Sequence, residues 1–439
     1  MSKTKFYLAA LILVTGISSF GASIDHIQNY TPEYGANPAQ QGAINRNTSV
    51  YFNPAGLMRL EDGTYLRAGI QYAYGKETMT YKGKEYSADL GAPVPNLALY
   101  TKNKERTWFW TFGGLGGGGD LKYDDGVAGI GVLEDVINMD LGIAKVRAKD
   151  LGSSAEGSNM YIQSTLGRAW DINDKVSVSL AGRVVRGSRL LKGHLNAELN
   201  ATVFGKENSL PIEAEIDSER TAWGFGGQFG LNYAATERLN IGMRYDTTVR
   251  MNFKADADEK KASLLGKELG FSDFFPEYAD GRKVRRDLPA LLALGASYKM
   301  TDSWTTFVGG NYYFNESAKI DKKANPNHDI EYDNGWEVSL GSEYWLNKKW
   351  AWMIGANYSD TGAHKDTFSD VEYALDSFMA GTGVKYRPDE SMEWIVSYNH
   401  YWYDSAKGNF TEKYPGKALE NQNYKKKISS VGLGFTKKI

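Results

Sequence analysis

"TAWGFGGQFGLNY", residues 221–233, has two faces. Trp223, Phe225, Phe229, Leu231 and Tyr233 share one parity, while Ala222, Gly224, Gly226, Gln228, Gly230 and Asn232 take the other. Side chains alternate across a strand, so one face is bulky and apolar and the other small and polar. A short turn follows, and "LNIGMRYD", residues 239–246, repeats the pattern: Leu239, Ile241, Met243 and Tyr245 against Asn240, Gly242, Arg244 and Asp246. Working outward in both directions, fourteen segments carry this alternation, from 64–76 to 425–439.

The connections alternate as well. "NKE", "INDK", "ATER", "MTDS", "NKK" and "PDES" are short; 119–157, 189–219, 255–285, 317–332 and 405–424 are long. An even strand count with short turns on one side and long loops on the other predicts an all-β fold, a transmembrane antiparallel β-barrel of about 14 strands. Soluble sheets also alternate, but their strands have a mode near 5–6 residues. These run to about 11–15. Trp108, Trp110, Trp223, Trp304, Trp336, Trp350, Trp352, Trp394 and Trp402 all fall on the apolar parity, near one end or the other of their segments. That is how two interfacial girdles are built. A mean hydropathy of −0.46 fits a chain whose strands are half lumenal and whose loops are solvated.

Composition removes several classes of function. Net charge is −2, so nothing steers the 439-residue chain towards nucleic acid. There is no cysteine, hence no disulfide or thiolate site, and none of the five histidines is at metal-ligand spacing. No metal or cofactor is expected. His400 shares the lipid-facing parity of Trp394 and Tyr398, which disfavours an enzyme of the lipase type.

The basic "MSKTK", a 12-residue apolar run at 6–17 and the small residues of "SSFGA" read as a signal peptide over 1–22, cleaved after Gly21 or Ala22. The expected organisation is signal peptide 1–22, a compact N-terminal segment 23–63, and barrel 64–439. The middle segment has two Asn-Pro steps and no sustained period. It is nonetheless too apolar for a disordered tail, with Tyr51, Phe52, Leu57, Met58 and Leu60. A fourteen-strand barrel leaves a lumen wider than side chains fill, and such a segment would occupy it.

"TSVYFNPAGL" and "AGIQYAYG" resemble the FadL family of long-chain fatty-acid transporters, outer-membrane barrels. So do "LNYAATERLNIGMRYDTTVRMNFKA", "DLPALLALGASYKMTDSW" and "GSEYWLNKKWAWMIGANYSDT". The resemblance implies a fourteen-stranded barrel with an N-terminal hatch carrying Asn53, Pro54 and Ala55. It also implies passive uptake of fatty acids or other hydrophobic molecules, aromatic hydrocarbons among them. The implied partners are a hydrophobic small-molecule ligand and outer-membrane lipid. "SSVGLGFTKKI", residues 429–439, resembles the terminal strand that barrel assembly machinery reads, although Ile439 stands where phenylalanine is usual.

Three candidate sites follow. The run "GGLGGGGD" places Gly113, Gly114, Gly116, Gly117, Gly118 and Gly119 at the end of the third strand. Glycine weakens a ladder, and the resemblance puts a lateral opening on that strand. The run could also be a flexible lead into loop 119–157. Leu264, Leu265 and Leu269 at helical spacing, followed by Phe271, Phe274 and Phe275, suggest an outer landing groove, or loops that merely cap the barrel. Leu133, Val136, Ile137 and Leu141 suggest a second helical face. Lumen-parity Arg67, Arg183 and Arg244 would hold a ligand carboxylate, or else pair with Asp246, Glu337 or Glu343. A general porin and a surface adhesin or receptor using the long loops are the alternative functions.

Overall fold

The computed structural model describes residues 24–140, 144–264, 267–273, 275–321, 332–368, 373–413 and 419–439. The signal-peptide expectation falls on residues 1–22, outside these. Fourteen wall strands run antiparallel: β1 (Gly63–Tyr81), β2 (Lys84–Lys102), β3 (Thr107–Tyr123), β4 (Ser154–Asp171), β5 (Val176–Val203), β6 (Lys206–Ala234), β7 (Leu239–Asp246, resuming at Asn252–Lys260), β8 (Lys283–Arg285, resuming at Leu291–Lys299), β9 (Trp304–Tyr313), β10 (Gly335–Trp345), β11 (Trp350–Asp360), β12 (Ser377–Asp389), β13 (Met392–Tyr403) and β14 (Asn423–Lys438). Each pairs with the next, and β14 returns to β1 from Tyr65↔Lys438 to Thr80↔Asn423. The sheet is thus closed, which removes the edges that lipid cannot satisfy.

The period-two reading survives residue by residue. On β10, Trp336, Val338 and Leu340 are exposed, whereas Glu337 and Ser339 are buried. All nine tryptophans on the apolar parity lie on the exposed outer face. On β1 the exposed apolar run extends from Leu66 to Tyr74. At about 3.3 Å per residue that is roughly 26 Å of strand, enough for a tilted strand to cross the apolar band.

Two pairs of wall strands run on past the expected segments, one of them through an expected loop. β1 and β2 continue to a two-residue turn, Lys82 (φ 45°) and Gly83 (φ 78°). β5 and β6 continue through the region expected as loop 189–219 to Phe204 (φ 48°) and Gly205 (φ 78°). Positive φ at both central residues matches the twist of the flanking strands, the geometry of a type I′ hairpin. Loop 119–157 is also shorter than expected: β3 runs on through the glycines to Tyr123, and α-helix Ala128–Ile137 follows.

The long connections are expected on the cell exterior. The chain lacks cysteine, so single cysteines report cleanly. A Phe204→Cys variant should react with an impermeant maleimide on intact cells, and a Lys104→Cys variant only after the outer membrane is disrupted. The opposite pattern would reverse the orientation.

Candidate functional site

Residues 24–62 precede the wall. The first helix forms where the sequence caps it: Thr31 Oγ1 accepts the Tyr34 amide at 3.3 Å, and Pro32 opens helix Pro32–Ala36 at a position needing no donor. A second turn of helix spans Ser49–Phe52, and 3-10 turns span Gln40–Gly42 and Pro54–Arg59. Almost every residue from Ile24 to Met58 is buried. The polar partners come from strands all round the barrel. Gln28 Nε2 donates to Tyr401 at 3.0 Å, Ser297 Oγ to Gly42 O at 2.7 Å, Asn53 Nδ2 to Leu231 O at 2.9 Å, and Ser177 Oγ to Ala55 O at 2.8 Å. Asn53, Pro54 and Ala55 therefore dock on β5 and β6.

Inner-face glycines make room for this backbone. A Cβ on Gly242 would lie 2.2 Å from Gln41 O, and one on Gly381 2.0 Å from Gly35 O. No side chain fits there.

The glycine run marks a break in the wall. β2 and β3 pair from Lys102↔Thr107 to Asn96↔Gly113, then lose register until Gly91↔Asp120. On the other side β3 stays paired to β4, through irregularities at Gly114/Gly116 and Gly117/Gly119. Gly117 (φ 101°) and Gly119 (φ 81°) take backbone angles that L side chains avoid. Opposite them β2 carries Pro93 and Pro95, which have no N–H to donate. These prolines were the missed signal for the break.

Behind the break, the N-terminal segment takes over the backbone. The Gln28 amide donates to Leu115 O at 3.0 Å, and the Gly117 amide to Asp25 O at 3.1 Å. Tyr30 places its hydroxyl 3.1 Å from Gly117 O. Burial, with Tyr401 and Glu337 adding to it, holds the Tyr30 phenol well above its ordinary value, so it stays a neutral donor. Asp25 is clamped by Arg189 at 2.8 Å and Arg286 at 3.0 Å. A second loss of register, between β6 and β7 beside Gly224 and Gly226, is filled by Val249 and Met251.

A cavity of about 70 Å³ lies between the segment and the break. Gly113, Gly114, Leu115, Gln28, Tyr30 and Arg244 are among its lining. Of the three arginines proposed for a carboxylate, only Arg244 reaches it. Arg244 donates to Phe52 O at 3.0 Å and sits 3.4 Å from Asp246. Arg183 pairs with Asp246 at 3.3 Å. Arg67 is fully buried, ion-paired to Glu33 and bonded to Asn96 Oδ1 at 2.6 Å. It ties β1 and β2 to the N-terminal segment rather than facing a ligand.

Residues 136–438 match the family described as outer membrane protein transport protein (OMPP1/FadL/TodX), more than half of the chain. The chain belongs to this family. It is 25% identical over 289 residues to outer membrane protein P1 of Haemophilus influenzae, covering 64% of this chain and 59% of that protein. A second P1 sequence from that species is 26% identical over 184 residues, 41% of this chain and 39% of that protein. The chain thus spans less than two thirds of these relatives' length. A Pseudomonas aeruginosa FadL homologue superposes with a TM-score of 0.69 at 14% identity, covering 97% of this chain and 100% of that one. The P. putida toluene transporter TodX gives 0.63 at 13%, covering 92% and 98%. At such identities the likeness concerns the fold. The OMPP1/FadL/TodX barrel is an outer-membrane protein, and this chain is one.

The expected landing groove of this family member is corrected in part. Ala262–Leu264 pairs antiparallel with Lys267–Leu269 as two short strands, where a helical face is expected. Phe271 and Phe275 are buried in one cluster with Leu191, Ile216 and Tyr278, so they hold the outer cap together instead of facing solvent. Leu269 packs against that cluster. Leu265, Phe274 and the Leu264 side chain lie outside the described residues, as do Leu141 and the Leu133 side chain. Val136 and Ile137 do lie on a helix, buried.

Proposed function

We propose that the chain is a passive channel carrying hydrophobic small molecules, long-chain fatty acids or aromatic hydrocarbons, across the outer membrane. Residues 24–62 act as the hatch, and the β2–β3 break is the lateral exit. The observation that carries this reading is that the wall loses its ladder where the N-terminal segment docks. A regular barrel has no reason to break there, and a hydrophobic solute has every reason to leave sideways into lipid. The toluene transporter TodX, of similar fold, supports a hydrophobic cargo. Barrel assembly machinery would insert the protein by reading β14.

The state described is closed. A benzene-sized ligand occupies a cavity of about 150 Å³, against about 70 Å³ here. Residues 25–31 must shift before cargo passes. A general porin would instead keep an open aqueous path, and the buried segment across the lumen argues against it. Solvent extraction of the purified barrel followed by mass spectrometry should release fatty acids or hydrocarbons at near one per chain. Porin-level conductance with no extractable apolar ligand would overturn the reading.

A further inference from the structure

The outer wall carries an unexplained cluster of like charge. Lys76 on β1 and Lys427 on β14 are direct cross-strand partners, and Lys425 is the partner of Thr78 on the same face. All three are exposed. Residues directly opposite have Cβ atoms about 4.5–5.5 Å apart, diagonal ones about 7–8 Å, and like charges so placed destabilise a sheet. Three other lysines on the outer extensions are neutralised: Lys122 by Glu156 at 3.4 Å, Lys192 by Asp217 at 2.9 Å, Lys260 by Glu213 at 2.9 Å. Among the described residues, Lys76, Lys425 and Lys427 have no ion-pair partner. Even Asp89, opposite Lys76 on β2, makes none with it.

The position is specific. Lys427 is the cross-strand partner of Trp402, a residue of the lipid-facing girdle. Below the lysines the same face is apolar: Tyr72, Tyr74, Ile70, Val431, Leu433 and Tyr398 are exposed. The lysines thus begin where the apolar band ends. A ligand matching this surface carries phosphate at the membrane boundary and acyl chains beneath it.

We propose that the β14–β1 seam binds a phosphorylated glycolipid of the outer leaflet, of the lipid A class. Its phosphate bridges Lys76, Lys425 and Lys427, cancelling their mutual repulsion, and its acyl chains lie on Tyr74, Val431 and Leu433. The site is separate from the lumen and independent of what the channel carries.

The test is native mass spectrometry of the full barrel in detergent with purified bis-phosphorylated lipid A. The wild type should retain the lipid, and the Lys76→Gln/Lys425→Gln/Lys427→Gln variant should bind it at least tenfold more weakly. Lys437→Gln, an exposed lysine at the other end of β14, should change nothing. Dephosphorylated lipid A and phosphatidylglycerol should bind the wild type as weakly as the triple variant binds lipid A. Equal binding by the triple variant, equal binding of dephosphorylated lipid A or phosphatidylglycerol, or displacement by millimolar inorganic phosphate would each overturn the proposal. Should the triple variant lose its heat-resistant migration, Lys427→Gln alone is read instead, with a loss of at least threefold expected and equal binding counting against.

Discussion

Arg67→Ala should turn a closed barrel into a conducting one. The Arg67–Glu33 pair is almost fully buried, and its arginine also holds Asn96, whose Nδ2 donates to Tyr30 O at 3.2 Å. Removing one partner takes the contacting cation away from a buried carboxylate, a loss of about 3–5 kcal/mol. At about 1.4 kcal/mol per tenfold, the balance between docked and displaced segment shifts by roughly a hundredfold to several thousandfold. Planar-bilayer recordings should show larger and more frequent conductance, and residues 24–62 should become protease-sensitive. The double variant Glu33→Ala/Arg67→Ala removes both charges and should lie closer to the wild type than either single change. Unchanged conductance in Arg67→Ala would mean that the segment does not gate the pore.

Gly114→Val should have the opposite sign. Its Cβ would lie 2.4 Å from Val94 Cγ1, so a branched side chain would fill the space between β2 and β3. Uptake of a hydrophobic probe by cells or liposomes should fall at least tenfold, with heat-resistant migration retained. One position pair away the effect should invert: a Cβ on Gly116 meets Asp25 O at 2.7 Å, so Gly116→Val should push the N-terminal segment off the wall. Wild-type uptake by a folded Gly114→Val barrel would place the exit elsewhere.

The wall was readable because two solvents write on it. Lipid outside and lumen inside impose a period of two, so Trp223 and Phe225 announce their face wherever the strand sits in the chain. Beyond the membrane that imposition ends. The outer face of β5 there carries Lys192 and His194 rather than apolar residues, and the strand was read as loop although its pairing continues to Val203. Leu264 and Leu269, which lie on short paired strands, misled for a related reason: a pattern of so few residues suits a helix, but a short window cannot distinguish a turn of helix from strand. Arg67 was legible as lumenal but not as occupied, because its partner Glu33 lies outside the period-two pattern. The lumen-facing glycines were visible as a small face; that they admit backbone rather than leave a channel becomes clear only once Gln41 and Gly35 are set against them.

The seam between β1 and β14 joins the first wall strand to the last, and residues 24–62 lie on the near side of that join in sequence. Translation and export deliver them first, whereas the sixteen partner pairs from Tyr65↔Lys438 to Thr80↔Asn423 can form only after the final strand arrives. The wall therefore completes its ring only after residues 24–62 have been delivered, and Gly381 and Gly242 have the segment's backbone at hand when they take their places.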